Sequence, residues 1–163
     1  MISPIYRSLM TYSLRPAATD DVEAMWRIQR FALGDIITAE FGTTTHEQRV
    51  FFDEHIEVEA HQIIVARGAD CGFLFTEWRG DHLYLGNLIV EPSHQNMGIG
   101  TSILGDLIAS ADAAQHPIRL QVLKGNPAIR FYEKFGFVVD RVSEHHHQMV
   151  RAPRSDSSQD IDP

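Results

Sequence analysis

An apolar run, Leu83 to Val90, leads through the turn Gln95-Asn96-Met97-Gly98-Ile99-Gly100 into a helical segment, Thr101 to Ala114. That order of strand, glycine turn and helix constrains the fold more than any other feature of the chain. A helix that follows a strand so closely must lie on the sheet. It is followed by Ile118, Leu120 and Val122 alternating with Arg119 and Gln121, the pattern of a half-buried strand. The expectation is an α/β domain in which the strand at 118–123 runs parallel to the strand at 83–90. The glycine turn also suggests a ligand. N–H groups in the first turn of a helix lack partners, and the macrodipole adds positive potential there. Glycine lets a backbone approach a phosphate without a Cβ in the way. A dinucleotide fingerprint needs glycine three residues after Gly100, where Ile103 stands. A P-loop needs Gly-Lys-Ser/Thr, and Gly100 is followed by Thr101-Ser102. What remains is either a plain glycine turn before a helix or a turn for a different pyrophosphate-bearing ligand.

A second block follows, from Leu120 to Phe137. Asn126 reads as a helix N-cap with Pro127 at the first helical position. Ala128, Phe131, Tyr132 and Phe135 share one helical face, and Gly136 reads as the residue that ends the helix. Phe137 to Val142 then reads as a strand.

These two blocks resemble the GNAT superfamily of N-acetyltransferases. One is Leu88-Ile89-Val90-Glu91-Pro92 followed by Gln-x-x-Gly-x-Gly; the other is Asn126-Pro127-Ala128 followed by Phe131-Tyr132 and Gly136-Phe137. The resemblance covers most of residues 13–151. It implies one α/β domain, with a mixed, mostly antiparallel sheet splayed around an acetyl-CoA site and flanked by helices. It implies acetyl-CoA as co-substrate, an amine acceptor of unknown identity, and direct attack in a ternary complex. Gln95, Asn96, Met97, Gly98, Ile99, Gly100 and Thr101 would hold the pyrophosphate, and the strand Leu88-Ile89-Val90 the pantetheine amides, in the manner of an added β-strand. A main-chain N–H near Leu88 would face the thioester oxygen. Asn126 caps its helix and, by resemblance, also contacts the pantetheine arm or an ordered water near it. The acceptor side would come from Phe31 to Glu59 and from the last hairpin. Outside enzymes, the alternative is an acetyl-CoA-binding module without turnover.

The residues bear on the chemistry directly. Acetyl transfer needs a neutral amine, donors for the tetrahedral oxyanion, and a proton for the leaving thiolate. Tyr132 is the candidate donor, a phenol with an ordinary pKa near 10; the alternative is a core tyrosine on an apolar face. No cysteine or serine stands with a base in either motif, so no acyl-enzyme is expected. For the general base, Glu77, Glu91, His82, Asp53, Glu54 and a water chain remain open. Gly86-Asn87 inside the first strand suggests a bulge that would splay it from the strand at 118–123. The run His145-His146-His147 invites a metal reading. Strand alternation puts His146 on the opposite face from its neighbours, so a half-exposed strand and no metal are expected.

Elsewhere, Ser13 to Arg15 reads as a strand, and Thr19 or Asp20 as the cap of a helix carrying Val22, Met25, Trp26 and Phe31. Thr45-His46-Glu47-Gln48 fits a capping box opening a helix with Val50, Phe51 and Phe52. Gln62–Ala66 and Cys71–Trp78 read as strands about an Arg67–Asp70 turn, and Arg79-Gly80-Asp81 turns again. Residues 1–12 read as an extension, with Met10 as able as Met1 to be the biological start, and 152–163 as a disordered tail. A net charge of −8 over 163 residues sets nucleic-acid binding aside. With the acidic cluster Asp53-Glu54-Glu57-Glu59, it favours a cationic acceptor. One cysteine, Cys71, allows no intrachain disulfide. No run has transmembrane length, no leader pattern opens the chain, and a cytoplasmic monomer or homodimer without membrane partners is expected.

Overall fold

The structure is a computed structural model and describes residues 11–155. Expectations for residues 1–10 and 156–163 fall outside them. Seven strands form one sheet: β1 Ser13–Pro16, β2 Gln62–Ala66, β3 Ala69–Arg79, β4 His82–Val90, β5 Ile118–Leu123, β6 Val138–Val142 and β7 His146–Arg151. Their order across the sheet is β1-β2-β3-β4-β5-β7-β6. Every pair is antiparallel except β4 with β5, which the crossover helix requires to be parallel. The helices are α1 Val22–Phe41, α2 Thr45–His55, α3 Ile99–Ala113 and α4 Ala128–Lys134.

Alternation along the strands divides the core. On one face, Leu83, Leu85, Leu120, Val122 and Met149 pack with Ile99, Ile103 and Leu104 of α3 and Tyr132 of α4. On the other, Phe73 and Ile89 pack with Met25, Trp26 and Ile28 of α1 and Phe52 of α2. The sheet is therefore buried on both faces in its middle, and the only way through it is a gap between strands.

That gap is made by a bulge in β4. Phe75 pairs with Asn87, but the next residue, Thr76, pairs with Leu85, so Gly86 is the extra residue. Only glycine fits there: a Cβ would sit 2.4 Å from Phe75 Cδ1. Below the bulge, Leu83, Tyr84 and Leu85 pair with Ile118, Arg119 and Leu120 of β5. Above it, β4 bonds only to β3, and the two parallel strands part. The bulge and the splay read from Gly86-Asn87 are both present.

Several local expectations shift. Thr44, not Thr45, caps α2: its hydroxyl accepts the Glu47 N–H at 3.2 Å, and Glu47 Oε2 accepts the Thr44 N–H at 2.8 Å. The box is Thr44–Glu47 because only that spacing puts the carboxylate at the third helical position. Neither Thr19 nor Asp20 caps α1. Both lie in a 3₁₀ turn, Thr19–Asp21, and Asp21 accepts the Ala18 N–H and a two-pronged bond from Arg15. Phe31 is 60 % exposed, because α1 buries the stripe containing Met25, Ile28 and Ala32, and Phe31 lies well off it. Val50 and Phe51 are likewise exposed, leaving Phe52 as the buried hydrophobic residue of α2, beside buried Gln48. The β2–β3 turn is only Arg67-Gly68, both with positive φ (52° and 74°); Ala69 and Asp70 already belong to β3.

Candidate functional site

A cleft of about 670 Å³ lies at the splay and is lined by residues of both faces of the sheet. On the α3 and α4 face it is lined by Leu85, Leu88, Val90, His94, Gln95, Asn96, Gly98, Ile99, Gly100 and Thr101, together with Leu120, Val122, Asn126, Pro127, Ala128, Phe131 and Tyr132. On the α1 face it is lined by Gln29, Ala32, Leu33 and Ile36, one stripe of that helix, with Tyr84, Asn87, Ile89, Gln121, Leu123 and His146 from the strands. Tyr132 and all the predicted cofactor-binding residues meet in this cleft except Met97, which does not line it. Ile89 points to the α1 face, away from Leu88 and Val90.

The turn before α3 is shaped by two left-handed residues, Asn96 at φ 60° and Gly98 at φ 87°. Gln95 ties the turn back to β4, its Nε2 donating to the Val90 carbonyl at 2.8 Å. The first backbone bond of the helix runs from Ser102 N–H to Gly98 C=O at 3.0 Å. Among the described residues, the N–H groups of Ile99, Gly100 and Thr101 therefore have no carbonyl to bond and stand as a set of donors at the positive end of the helix. This is a cradle for an anionic group such as a phosphate. Gly100 adopts no positive φ. Its missing Cβ leaves room over the turn, with Phe131 Cζ 3.5 Å from where that atom would lie.

Tyr132 sits at the cleft between Phe131 and Phe137, with ring centroids 5.3 and 5.6 Å away, and is 8 % exposed. Its hydroxyl bonds to no protein group among the described residues. Burial pushes its pKa up to about 12, so it stays protonated across the neutral range. Asn126 Oδ1 accepts the Ala128 N–H at 2.9 Å, the capping role read from sequence. Gly136, at φ 89°, ends the helix as expected.

None of the five candidate bases lines the cleft. Glu77 pairs with Arg79, His82 with Asp81 and Asp53 with Arg49, while Glu91 lies 3.5 Å from both Arg27 and His94. The cluster Asp53-Glu54-Glu57-Glu59 also lies off its lining. Among the described residues, the cleft lining contains no Asp, Glu, Lys or Arg. Of the histidine run, His145 bonds Glu40 Oε1 at 2.9 Å, His146 enters the cleft, and His147 opposes Val122 on the other face, as alternation required.

Sequence reasoning missed His61. It is 6 % exposed and packs against Phe73 and Phe75. Its Nδ1–H donates to the Glu57 carbonyl at 2.7 Å, which leaves Nε2 to accept from Asn87 Nδ2 at 2.8 Å. Burial pushes its pKa below the usual 6.5 and keeps it the neutral acceptor that holds Asn87 just above the bulge. Nothing in the sequence links His61 to a position 26 residues away. The stripe Gln29, Ala32, Leu33 and Ile36 was legible as a helix face, but not as the wall of this cleft.

Residues 59–139 match the family model described as "Acetyltransferase (GNAT) domain". No curated protein matches the chain in sequence. Among solved structures, the chain is similar to a PaiA N-acetyltransferase from Thermoplasma acidophilum in complex with coenzyme A (18 % identity, TM-score 0.71, 88 % of this chain and 99 % of that one). It is similar to Ard1 from Thermoplasma volcanium (21 % identity, TM-score 0.61, 88 % and 99 %). It is also similar to the ribosomal-protein-S18-alanine N-acetyltransferase of Escherichia coli (20 % identity, TM-score 0.60, 91 % and 98 %). The matched family stretch begins after α2 and ends before β7, so it covers the α3 and α4 face and leaves out the α1 wall and His146.

Proposed function

We propose that this chain, which carries a GNAT acetyltransferase domain and the GNAT fold, transfers the acetyl group of acetyl-CoA to an amine by direct attack in a ternary complex. The observation that carries the reading is the cleft itself: one opening through the sheet, with a cradle of free N–H groups on one face and an uncharged pocket on the other. Two substrates that enter from opposite faces can meet there without a covalent relay through the protein.

In this reading Gln95 to Thr101 hold the pyrophosphate, with Met97 keeping the turn's spacing from outside the lining. The free edge of β4 above the bulge offers backbone groups to the pantetheine amides, and Asn126 stands beside that arm. The Leu88 N–H stabilises the tetrahedral oxyanion. Tyr132 donates a hydrogen bond to the sulfur as its bond to carbon breaks, and the proton follows as the charge develops. Its high pKa makes full transfer to a free thiolate (conjugate thiol near 8.5) uphill by about 3.5 units, so the hydrogen bond must do its work in the transition state.

The test is a screen for CoA release with acetyl-CoA and a broad panel of amines, beside calorimetry of acetyl-CoA binding. Amine-dependent release with an acetylated product supports transfer. Tight binding with no release on the whole panel would instead make the chain a cofactor-binding module.

A further inference from the structure

The acceptor amine must lose a proton, and among the described residues the cleft lining offers no carboxylate to take it. We propose that His146 takes that proton, which makes the site fit for amines of low basicity, such as an α-amino group, rather than for lysine-like amines. This rests on the transfer reading above.

Three observations carry it. First, His146 lies on the acceptor face: it pairs with Leu123 of β5, beyond the point where β4 and β5 part, and lines the cleft with Ile36 and Gln121. Tyr132 lines the same cleft from the other face. A base on one side of the gap and a proton donor on the other match the two ends of the reaction. Second, the imidazole is free. His61, His82, His94 and His145 each bond a protein partner through the ring, whereas among the described residues no protein group bonds the ring of His146. Third, the alternatives are absent from the lining. The other lining histidine, His94, stands on the α3 and α4 face and is bonded to Ser93.

Burial, and after it the charge of neighbouring His145, pushes the pKa of His146 below the usual 6.5, while Glu40 of α1 pulls the other way. Glu40 is itself engaged by His145 at 2.9 Å, and Glu144 lies 3.8 Å from the other ring nitrogen of His145. From β5, Gln121 and Leu123 bring no charge, and Lys124 follows outside the lining; His94, Tyr84 and Tyr132 complete the titratable groups of the lining among the described residues. His146 is thus neutral at pH 7 and able to accept. A base this weak suits a weakly basic amine. At pH 7 roughly one α-amino group in seven is already neutral, against about one lysine in 2,500. The gap from an imidazole below 6.5 to a lysine-type ammonium is about four units or more.

The step balances. The nitrogen forms its bond to the carbonyl carbon as the carbonyl pair moves to oxygen, and an N–H bond breaks with its proton going to the imidazole. The oxyanion pair re-forms the carbonyl as the C–S bond breaks, with the Tyr132 hydroxyl sharing its proton with the sulfur in the transition state and keeping it afterwards. The thiolate leaves and takes its proton from solvent, the imidazolium gives its proton to solvent, and nothing is oxidised or reduced.

The experiment measures kcat and KM against pH for the full chain. The probes are acetyl-CoA with an unblocked peptide lacking lysine, and with an N-terminally blocked peptide holding one lysine. The unmutated protein is expected to favour the unblocked peptide, with activity rising through an acid limb below pH 6.5. In His146→Gln, kcat/KM should fall about 10²- to 10⁴-fold. In kcat at saturating amine the acid limb should vanish, while the limb that the amine's own titration puts on kcat/KM stays, and the deficit should shrink as pH approaches the pKa of the amine. Acetyl-CoA affinity by calorimetry should be unchanged. Retention of the rate, or a higher KM with the acid limb intact, overturns the assignment and leaves His146 as wall. Should the variant not fold, NMR titration of the unmutated protein decides: a His146 pKa above 7 overturns the proposal, and one below 6.5 that moves on addition of the unblocked peptide supports it. Acetylation of other amines of the broad panel but of neither peptide overturns the His146 proposal alone, and binding of acetyl-CoA with no release on the whole panel overturns the transfer reading itself.

Discussion

Tyr132 keeps its proton because the core surrounds it. The same burial that raises its pKa to about 12 packs its ring between Phe131 and Phe137, so the hydroxyl and the ring do separate work. Tyr132→Phe keeps the ring and removes only the hydroxyl. Turnover is expected to fall about 10- to 1,000-fold, the range for losing one acid catalyst. The acetyl-CoA dissociation constant should move little. Steady-state kinetics at saturating amine give the answer, since a loss confined to the transition state lowers kcat and kcat/KM together. Normal turnover in that variant would assign the leaving-group proton to water. At the same scale, His61 holds Asn87 only while neutral. Its folded pKa lies below 6.5, so the stability it contributes is complete above pH 6.5 and is lost as pH falls through the folded value; half-buried His146 has the same sign. The melting temperature should therefore begin to drop on acidification below pH 6.5, and His61→Gln should blunt that drop. A melting temperature flat from pH 7 to pH 5 would remove the histidines from the balance.

The turn into α3 acts as an element. Its two glycines stand for different physical reasons and should fail differently. Gly98 needs φ 87°, where a β-branched residue is strained, so Gly98→Val should lose both stability, by about 1–2 kcal/mol, and tight CoA binding. Gly100 has ordinary dihedrals, and its absent Cβ would meet only Phe131 Cζ, at 3.5 Å. Gly100→Ala should therefore melt near the unmutated protein yet bind CoA more weakly, because the methyl fills space above the N–H groups. Calorimetry with CoA beside thermal melts separates the two cases. Unchanged CoA affinity in both variants would take the turn out of the site.

Across the whole molecule, one buried cation ties the late elements together. Arg151 of β7 is 5 % exposed, donates through Nη1 and Nη2 to Asp112 of α3 at 2.7 and 3.2 Å, and donates through Nε to the carbonyl of Phe135 after α4 at 3.1 Å. Asp112 also accepts the Arg154 N–H at 3.0 Å, which binds the chain beyond β7 to the same helix. Asp112→Ala leaves a guanidinium buried without its partner and should destabilise the fold by about 3–5 kcal/mol in chemical denaturation. A loss below about 1 kcal/mol would mean that water replaces the carboxylate. Arg151 holds the Asp112 carboxyl below the usual carboxylate range. A depressed carboxyl contributes stability that is present above its unfolded pKa, near 3.8, and is lost as pH falls through the folded value. The acid response should thus come in two stages, a histidine stage below pH 6.5 and a carboxylate stage below pH 3.8.

What the sequence determined by itself is local. Alternation in Ile118 to Val122, the glycines at 98 and 136, the Asn126 cap and the extra residue at Gly86 are each decided by dihedral preference and by hydrogen bonds within a few residues. For that reason the order of elements, the splay and the α3 and α4 lining of the cleft were legible. The caps of α1 and α2 were displaced by a residue or two, because several neighbouring Thr and Asp side chains can cap and only the packed backbone selects one. Tertiary structure alone decided the other half. Whether Phe31 or Leu33 faces the sheet depends on how α1 rolls onto it. The pairing of His61 with Asn87, and the placing of His146 in the cleft lining where Glu77, Glu91, Asp53, Glu54 and His82 are not, depend on which residues a sheet brings together from distant segments. Spacing along the chain carries no trace of those distances, because they are set by the register of strands and the burial of their faces.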